Sequence, residues 1–376
     1  MNDWTEDEAL ILDQIDRFAA EVLAPRAAEL DETATFATCH LPAMAELGLF
    51  GLNLPEAEGG VGLSGPALYR AVEIVAAACG STASMLTAHF LATDSLHLGA
   101  NAKLKARILP RAAAGALGAF ALTEPGAGSN PADMRTTARR EGDGYRLSGS
   151  KCFISNAGAA EFIAVYAKTD PEAGARGVSA FVVEPKTTAG IDIAPAERTM
   201  GLRGGHVFGI TLDCHVPEEN RIGAEGSGFR TAMKVLDNGR IEVAAQATGI
   251  AAAALDLAVA YAKERRVGGH PIADFQGLQW MLADSANDLA AARALGYAAA
   301  RLRGTGARYS TESAHAKLFA SEAACRIADR ALQIHGGYGY CRDFPLERYL
   351  RDLRIFRIYE GSSEIQRTIL ARGLLG

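Results

Sequence analysis

The N-terminal part of the chain carries apolar residues at helical spacing. They recur at intervals of four, three and four residues, at Ile11, Ile15, Phe18 and Val22. This pattern predicts an amphipathic helix, with Asp3 or Thr5 as its N-cap. Segments rich in Ala and Leu follow at 66–79 and 81–98. We therefore expect an N-terminal helical domain over residues 1–117.

The chain changes character after residue 117. Runs rich in Val, Ile and Phe lie at 162–167, 178–183 and 206–213, and Glu-Gly-Asp-Gly at 141–144 is typical of a turn. Because no helical pattern of 10–15 residues separates these runs, a parallel Rossmann sheet is disfavoured. The pattern favours a middle antiparallel β domain over residues 118–227.

Helical spacing returns in the last part of the chain, at 241–263, 278–295, 316–334 and 363–370. Four helices with small, Ala-rich faces predict a closely packed C-terminal four-helix bundle over residues 228–376. Ser363 and Gln366 fit a capping box at the start of the last helix. The whole chain is thus expected to be an α+β multidomain protein.

Charge and composition give little support to several classes of function. The net charge of −6 gives little support to nucleic-acid binding, which needs clustered Lys and Arg. The acidic N-terminal sequence resembles neither a secretory signal nor a transit peptide, so we expect a cytoplasmic protein. No uninterrupted apolar run approaches the ~18 residues of a membrane span. The cysteines form no C-x-x-C pair and the histidines no H-x-x-x-H, so no metal site is expected.

Four clusters could carry chemistry. Loop 121–130 has two glycines whose bare backbone could approach a phosphate or a planar ring. Strand 151–158 places an aromatic ring and a hydroxyl two residues apart, on one face. Segment 333–340 has three glycines where a long helix ends, and segment 358–367 places Glu360 before a helix start that suits an anion. Each cluster alone is a weak signal.

Together, in this order, the clusters resemble the acyl-CoA dehydrogenase family. The motifs that carry the resemblance are T-E-P-G-A-G-S at 123–129, M-G-L-R at 200–203, Q-I-H-G-G-Y-G-Y at 333–340 and I-Y-E-G-S-S-E-I-Q-R at 358–367. The resemblance covers essentially the whole chain. It implies the three domains predicted above, an FAD cofactor and a homotetramer in which each FAD is shared across a dimer interface.

The resemblance also assigns roles to residues. The flavin would contact Phe120, Leu122, Thr123, Gly128, Ser129, Phe153, Ile154 and Ser155. The pyrophosphate and adenine would meet Arg265, Phe275 and Gln276 of the neighbouring subunit, and Gln333, Gly336, Gly337, Ser362 and Glu364 would complete the FAD site. The acyl-CoA would contact Ser129, Asp237, Arg240 and Gly361. Glu360 matches the catalytic base of the family.

The implied reaction is α,β-dehydrogenation of an acyl-CoA thioester to the trans-2-enoyl-CoA. Glu360 would remove the α-proton, and flavin N5 would accept hydride from the β-carbon. The family's usual electron acceptor is electron-transfer flavoprotein. One alternative is an acyl-CoA oxidase or flavin monooxygenase of the same fold. Another is a non-catalytic acyl-CoA-binding protein, because the run at 265–269 lacks the aromatic residue that is common in the family.

Overall fold

The computed structural model describes residues 4–376, so the candidate cap Asp3 lies outside the described residues. The N-terminal helices are α1 Glu6–Phe18, α2 Ala27–Thr33, α3 Leu41–Glu46, α4 Gly65–Ala78, α5 Gly80–Gly99 and α6 Ala102–Ala113. Thr5 caps α1 and forms a reciprocal capping box with Glu8. Every residue of α5 from Gly80 to Leu96 is buried, so this helix lies in the core rather than at the surface.

The middle region is a single sheet. Its strands are β1 Gly118–Ala121, β2 Thr137–Glu141, β3 Gly144–Ser155, β4 Phe162–Lys168, β5 Val178–Val183, β6 Ile191–Ile193, β7 Val207–Pro217 and β8 Arg221–Ile222. The strand order is β6-β7-β3-β2-β4-β5-β8, and β1 pairs with β4. Most neighbours are antiparallel, as predicted, but β1 and β2 run parallel to β4, which makes the sheet mixed. The chain passes from β1 to β4 through the β2–β3 hairpin rather than through an α-helix. The sequence therefore has no helical pattern that would have predicted the parallel pairing of β1 and β2 with β4.

Strand β4 is buried on both faces. Phe162, Ala164 and Tyr166 face a core shared with α5 and α6. Ile163 and Val165 face a second core on the opposite side of the sheet. Because successive side chains point to opposite faces, a strand covered on both sides has an unbroken apolar run. This burial accounts for the sequence of 162–167.

The C-terminal region returns to helix. Its elements are α7 Gly228–Glu264, the short hairpin β9 Arg266–Val267 and β10 His270–Pro271, α8 Gln276–Ala300, α9 Ser310–His335, α10 Gly337–Tyr340, α11 Leu346–Leu353 and α12 Ser363–Leu375. Helix α7 packs against α4, α5, α8 and α9 and therefore joins the N-terminal and C-terminal helices in one core. It is long and apolar enough to cross a membrane by length and composition alone, but 61% of its most apolar window is buried inside the protein.

The start of α12 differs from the predicted capping box. Ser362, not Ser363, occupies the N-cap position, and no side chain caps the helix there. The Oγ of Ser363 is buried without a partner among residues 4–376. The Gln366 side chain donates instead to the backbone carbonyls of Glu360 and Gly361. The predicted helix start is therefore confirmed, and the predicted cap is wrong.

Close packing of α4 on α7 makes Gly249 a sensitive position. A Cβ at Gly249 would lie 2.2 Å from the backbone oxygen of Glu73. We expect Gly249→Ala to destabilise the protein by ~1–3 kcal/mol, because the two helices would have to separate. Gly373→Ala is the matched control, since its Cβ would lie 3.6 Å from Thr311, in ordinary contact. Thermal unfolding of both variants checks this expectation, and equal midpoints would contradict it.

Candidate functional site

A cavity of about 580 Å³ lies between the middle sheet and the helices. It is lined by all eight residues assigned to the flavin, namely Phe120, Leu122, Thr123, Gly128, Ser129, Phe153, Ile154 and Ser155. Arg240, Glu360 and Gly361 line the same cavity, together with apolar residues of α5, α7 and α12. The structure thus brings together residues from three distant parts of the sequence.

The aromatic ring of Phe153 reaches the cavity because β3 is irregular there. The register between β3 and β7 shifts between Lys151 and Ile154, and Phe153 has a φ of +57°. A positive φ at a bulky residue is strained and is held only by its surroundings. The residue is 66% exposed, which is unusual for a phenylalanine. The sequence predicted this ring in the site, but not the bulge that presents it.

A buried ion pair fixes the loop that precedes the cavity. Lys151 Nζ lies 2.8 Å from Glu124 Oε1 and donates to the backbone oxygen of Leu122 at 3.0 Å. The other oxygen of Glu124 accepts the Arg135 N–H at 2.6 Å. These bonds hold the loop of 122–129 against β3. In this loop, a Cβ at Gly128 would meet nothing within 4 Å, so bare backbone faces open space.

The Glu360 carboxyl group is the unusual feature of the cavity. Part of the residue is accessible from the cavity, but its Oε2 atom is buried and has no hydrogen-bond partner among residues 4–376. Burial raises the pKa of Glu360 to about 8, and Glu242 adds to the rise, while Lys317 and Arg240 oppose it. An unpartnered carboxyl group with such a pKa in a cavity is suited to proton transfer near neutral pH.

Gly239 makes room for this carboxyl group. A Cβ at Gly239 would lie 2.0 Å from Glu360 Oε2 and 2.7 Å from Leu91 Cδ2. The carboxyl group therefore lies directly against the backbone of α7, in the space that any larger residue would fill. The sequence analysis did not identify Gly239, because nothing in the spacing of the motifs relates it to a residue 121 positions later.

Three side chains from different helices hold the backbone beside Glu360. Gln366 Nε2 donates to the carbonyls of Glu360 at 3.2 Å and Gly361 at 2.8 Å. Arg240 Nε donates to the Glu360 carbonyl at 3.4 Å. Lys317 Nζ donates to the Gly361 carbonyl at 2.7 Å. Of these donors, the sequence analysis named Arg240 and Gln366, the latter in a different role, and missed Lys317.

Some of the assigned residues lie in a second pocket. Arg265, Phe275, Gly336 and Gly337 line a separate space of about 590 Å³ near the C-terminal ends of α7 and α9. Cβ atoms at Gly336 and Gly337 would meet nothing within 4 Å, so this pocket also presents bare backbone. Within one protomer, twelve of the sixteen residues assigned to FAD therefore line two separate pockets.

The remaining assigned residues line neither pocket. Gln276, Gln333 and Glu364 are exposed on helices, and Ser362 is half-buried. Asp237 accepts hydrogen bonds from Arg240 at 2.6 Å and from Ser310 at 2.5 Å, so it holds the arginine from outside the cavity. Among residues 4–376, no group of three or more His, Cys, Asp or Glu side chains is arranged to bind a metal.

Three family models match the chain in succession. They are described as the N-terminal domain of acyl-CoA dehydrogenase at residues 5–116, its middle domain at 119–213 and its C-terminal domain at 226–375. An acyl-CoA dehydrogenase of Bacillus subtilis is 42% identical over 99% of each chain. An acryloyl-CoA reductase (NADH) of Anaerotignum propionicum is 43% identical over 99% of this chain and 95% of that protein.

Solved structures agree in fold over the full length. Butyryl-CoA dehydrogenase from Megasphaera elsdenii superposes with a TM-score of 0.97 at 36% identity and covers 100% of both chains. A chain from work on the electron transferring flavoprotein of Acidaminococcus fermentans also has a TM-score of 0.97, at 41% identity and 100% coverage of both chains. PigA with FAD and proline has a TM-score of 0.95 at 29% identity, covering 100% of this chain and 99% of that one. The resemblance read from the four motifs is therefore confirmed, and this chain belongs to the acyl-CoA dehydrogenase family.

Proposed function

We propose that this protein catalyses the FAD-dependent α,β-dehydrogenation of an acyl-CoA thioester, with Glu360 as the base that removes the α-proton. The observation that carries the proposal is the buried, unpartnered Oε2 of Glu360 in a cavity large enough for a ring system and a thioester. An ordinary structural glutamate at such a position would be paired, because an isolated buried carboxylate is costly. The family relationship supports the same reaction.

The residues present fit FAD. A planar ring system needs an aromatic contact, open backbone and polar atoms at its edge, and the cavity offers Phe153, Gly128 and the hydroxyl groups of Thr123 and Ser155. The second pocket offers Arg265, a cation suited to a pyrophosphate, beside the bare backbone of 336–337. When bound, FAD supplies the acceptor for the hydride that leaves the β-carbon.

Glu360 removes the hydrogen of the α-carbon as a proton. As the Cα–H bond breaks, its electron pair becomes the new Cα–Cβ π bond, and the carboxylate oxygen takes the proton. The raised pKa makes this oxygen a stronger base than an exposed glutamate. A bound acyl chain would exclude water from the cavity. Without water to stabilise its charge, the carboxylate would accept the α-proton more readily.

The backbone supports the enolate that develops on the thioester oxygen. The N–H of Glu360 donates to no hydrogen bond in the part of the chain that the structure describes, so it is free for a substrate oxygen. A donor of this kind acts as one half of an oxyanion hole. We assign Ser129, Arg240 and Gly361 to contact with the acyl-CoA, since all three line the cavity, and Asp237 to holding Arg240.

We infer that the protein is a homotetramer in which each FAD is bound by the first pocket of one protomer and the second pocket of another. The residues that line neither pocket would lie near FAD in that assembly, namely Gln276, Gln333, Ser362 and Glu364. A chain of very similar structure comes from work on an electron transferring flavoprotein, which supports such a flavoprotein as electron acceptor. We also propose that the protein is cytoplasmic.

The reverse reaction, reduction of a 2-enoyl-CoA, is a second candidate. A pKa of about 8 leaves the Glu360 carboxyl group mostly protonated at neutral pH in the free enzyme, ready to donate a proton to the α-carbon. One relative of this chain is named as an acryloyl-CoA reductase that uses NADH. Oxidation of NADH by acryloyl-CoA in the presence of this protein and an electron-transfer flavoprotein would favour this direction.

Replacing Glu360 tests the proposed base. Glu360→Gln retains the shape of the side chain but cannot accept a proton at neutral pH. We expect the variant to keep bound FAD, seen in its visible spectrum, and to lose at least ~1,000-fold in the rate of anaerobic flavin bleaching by acyl-CoA. A panel from butyryl-CoA to longer and branched thioesters identifies the preferred substrate of the unaltered protein.

The same preparation separates the alternatives. Full bleaching of the Glu360→Gln variant at the unaltered rate would contradict the assignment of the base. Oxygen consumption during turnover of the unaltered protein would indicate an oxidase or monooxygenase. A colourless protein that takes up no added FAD would indicate a binding protein without redox activity.

The pKa of Glu360 predicts how bleaching depends on pH. Because the carboxyl group must be ionised to act as a base, kcat/KM for flavin reduction should rise ~10-fold per pH unit below about pH 8 and level off above it. Stopped-flow bleaching with butyryl-CoA between about pH 6 and 9 measures this profile. A profile that stays flat over this range would contradict the raised pKa.

The space at Gly239 yields a further expectation. In Gly239→Ala, the methyl group would collide with Glu360 Oε2 and Leu91, so the carboxyl group must move. We expect flavin reduction to slow by ~100-fold, because proton transfer is sensitive to displacements of about 1 Å. Gly373→Ala, a change of the same size with room for the methyl group, should reduce its flavin at the unaltered rate. Equal rates in the two variants would show that the site tolerates the displaced carboxyl group.

A further inference from the structure

The segment that carries Glu360 has an unfavourable backbone conformation. Glu360 has a φ of +52° and Gly361 a φ of +88°. Glycine adopts this left-handed region freely, but glutamate does so only when its surroundings hold it there. The direction of the Glu360 carboxyl group therefore depends on contacts made to its backbone and to that of Gly361.

Lys317 differs from the other two side chains that make those contacts. Arg240 is also paired with Asp237 at 2.6 Å, and Gln366 is neutral. The Lys317 ammonium group is fully buried, and its Nζ donates only to the Gly361 carbonyl in the part of the chain that the structure describes. No carboxylate of that part of the chain lies within 4 Å of it. A buried cation with one neutral acceptor is costly, so stability alone does not account for it.

The charges around Lys317 explain how its ammonium group is tolerated. Glu360 lies on the segment that Lys317 holds, Glu364 on α12 and Glu322 on α9, and all three favour the charged lysine. Arg240 on α7 opposes it. Burial lowers the pKa of Lys317 to about 8, and Glu360 is the largest influence in the other direction. The same two groups act on each other, since Lys317 also opposes the rise in the pKa of Glu360.

We propose that Lys317 is a positioning residue for Glu360: its hydrogen bond to Gly361 fixes the strained segment, and its buried charge favours the ionised carboxyl group. The proposal rests on the proposed function only for its effect on catalysis. Lys317 reaches the reaction through the Gly361 carbonyl and through its charge, because it does not line the cavity. Lysine meets both requirements, since its ammonium group is both a hydrogen-bond donor and a full positive charge.

The two effects predict separate changes in Lys317→Met, which keeps the length and apolar stem of the side chain. Loss of the hydrogen bond should increase amide hydrogen exchange in residues 357–362 of the FAD-bound protein by ~10-fold or more, because local opening becomes easier. Loss of the charge should move the acid limb of kcat/KM for butyryl-CoA bleaching to higher pH by about one unit or more. At neutral pH, kcat should fall by ~10–100-fold, with KM little changed.

Three further variants keep the test decisive. Lys317→Arg retains the charge, so its acid limb should stay at the unaltered pH even if its kcat is lower. Lys317→Gln removes the charge but keeps a hydrogen-bond donor, so its acid limb should move to higher pH, and it replaces Lys317→Met for the pH profile if that variant does not fold. Lys105→Met removes a lysine of α6 that pairs with Glu58 at 3.0 Å, and it should change neither exchange at 357–362 nor the pH profile.

Different results overturn different statements. If Lys317→Met exchanges its 357–362 amides at the unaltered rate and keeps the unaltered pH profile, Lys317 does not position Glu360. If the acid limb moves equally in Lys317→Arg and Lys317→Met, the charge has no part in the effect. If no acyl-CoA bleaches the unaltered protein, the proposed function fails, but the exchange comparison still decides whether Lys317 holds the segment.

Discussion

The burial of one carboxyl group against a helix backbone is the constraint on which the site depends. Glu360 Oε2 occupies the volume that a side chain at Gly239 would fill, and no donor compensates it among residues 4–376. A carboxylate in this position is destabilised relative to water, which is what raises its pKa. Basicity is thus obtained from the fold at a cost in stability, a common arrangement at active sites.

Helix α7 supplies three of the residues that act on this carboxyl group. Within four residues it contributes Gly239 as the space, Arg240 as a donor to the Glu360 carbonyl, and Glu242 as a second buried acid. Glu242 pairs with Arg303 at 2.7 Å, but its Oε2 has no partner in the described chain, and it adds to the rise in the pKa of Glu360. Because α7 packs against α4, α5, α8, α9 and α11, these groups have little freedom to move away.

The order and type of the main elements could be predicted from the sequence, since periodicity reports directly on which faces are buried. The run at 162–167 and the stripes of α8 and α9 illustrate this. The mixed character of the sheet could not be predicted, because the parallel pairing of β1 with β4 depends on the tertiary arrangement of the strands. The start of α7 at Gly228 was also missed, as its first turns lack the Ala-rich pattern seen after Ile241.

Residues of the candidate site that belong to a sequence motif could be predicted. Residues that reach the site only through tertiary contacts could not. All eight residues assigned to the flavin line one cavity with Glu360. None of the motifs contains Gly239, Glu242 or Lys317. The acceptor for Lys317 is a backbone carbonyl, which every residue type has, so the sequence gives no sign of this hydrogen bond. The capping box at Ser363 failed for a related reason: the positive φ values at 360 and 361 bring two carbonyls within reach of Gln366.

A carboxyl group with a pKa near 8 does not by itself choose a direction of reaction. At its ordinary value of 4.5 it would be a poor proton donor to carbon at neutral pH, and a poor base for a thioester α-proton. Raised to about 8, it can take the proton in dehydrogenation and return it in reduction, because both directions share one transition state. The direction then depends on the electron partner of the bound flavin, and relatives of this chain are named both as an acyl-CoA dehydrogenase and as an acryloyl-CoA reductase.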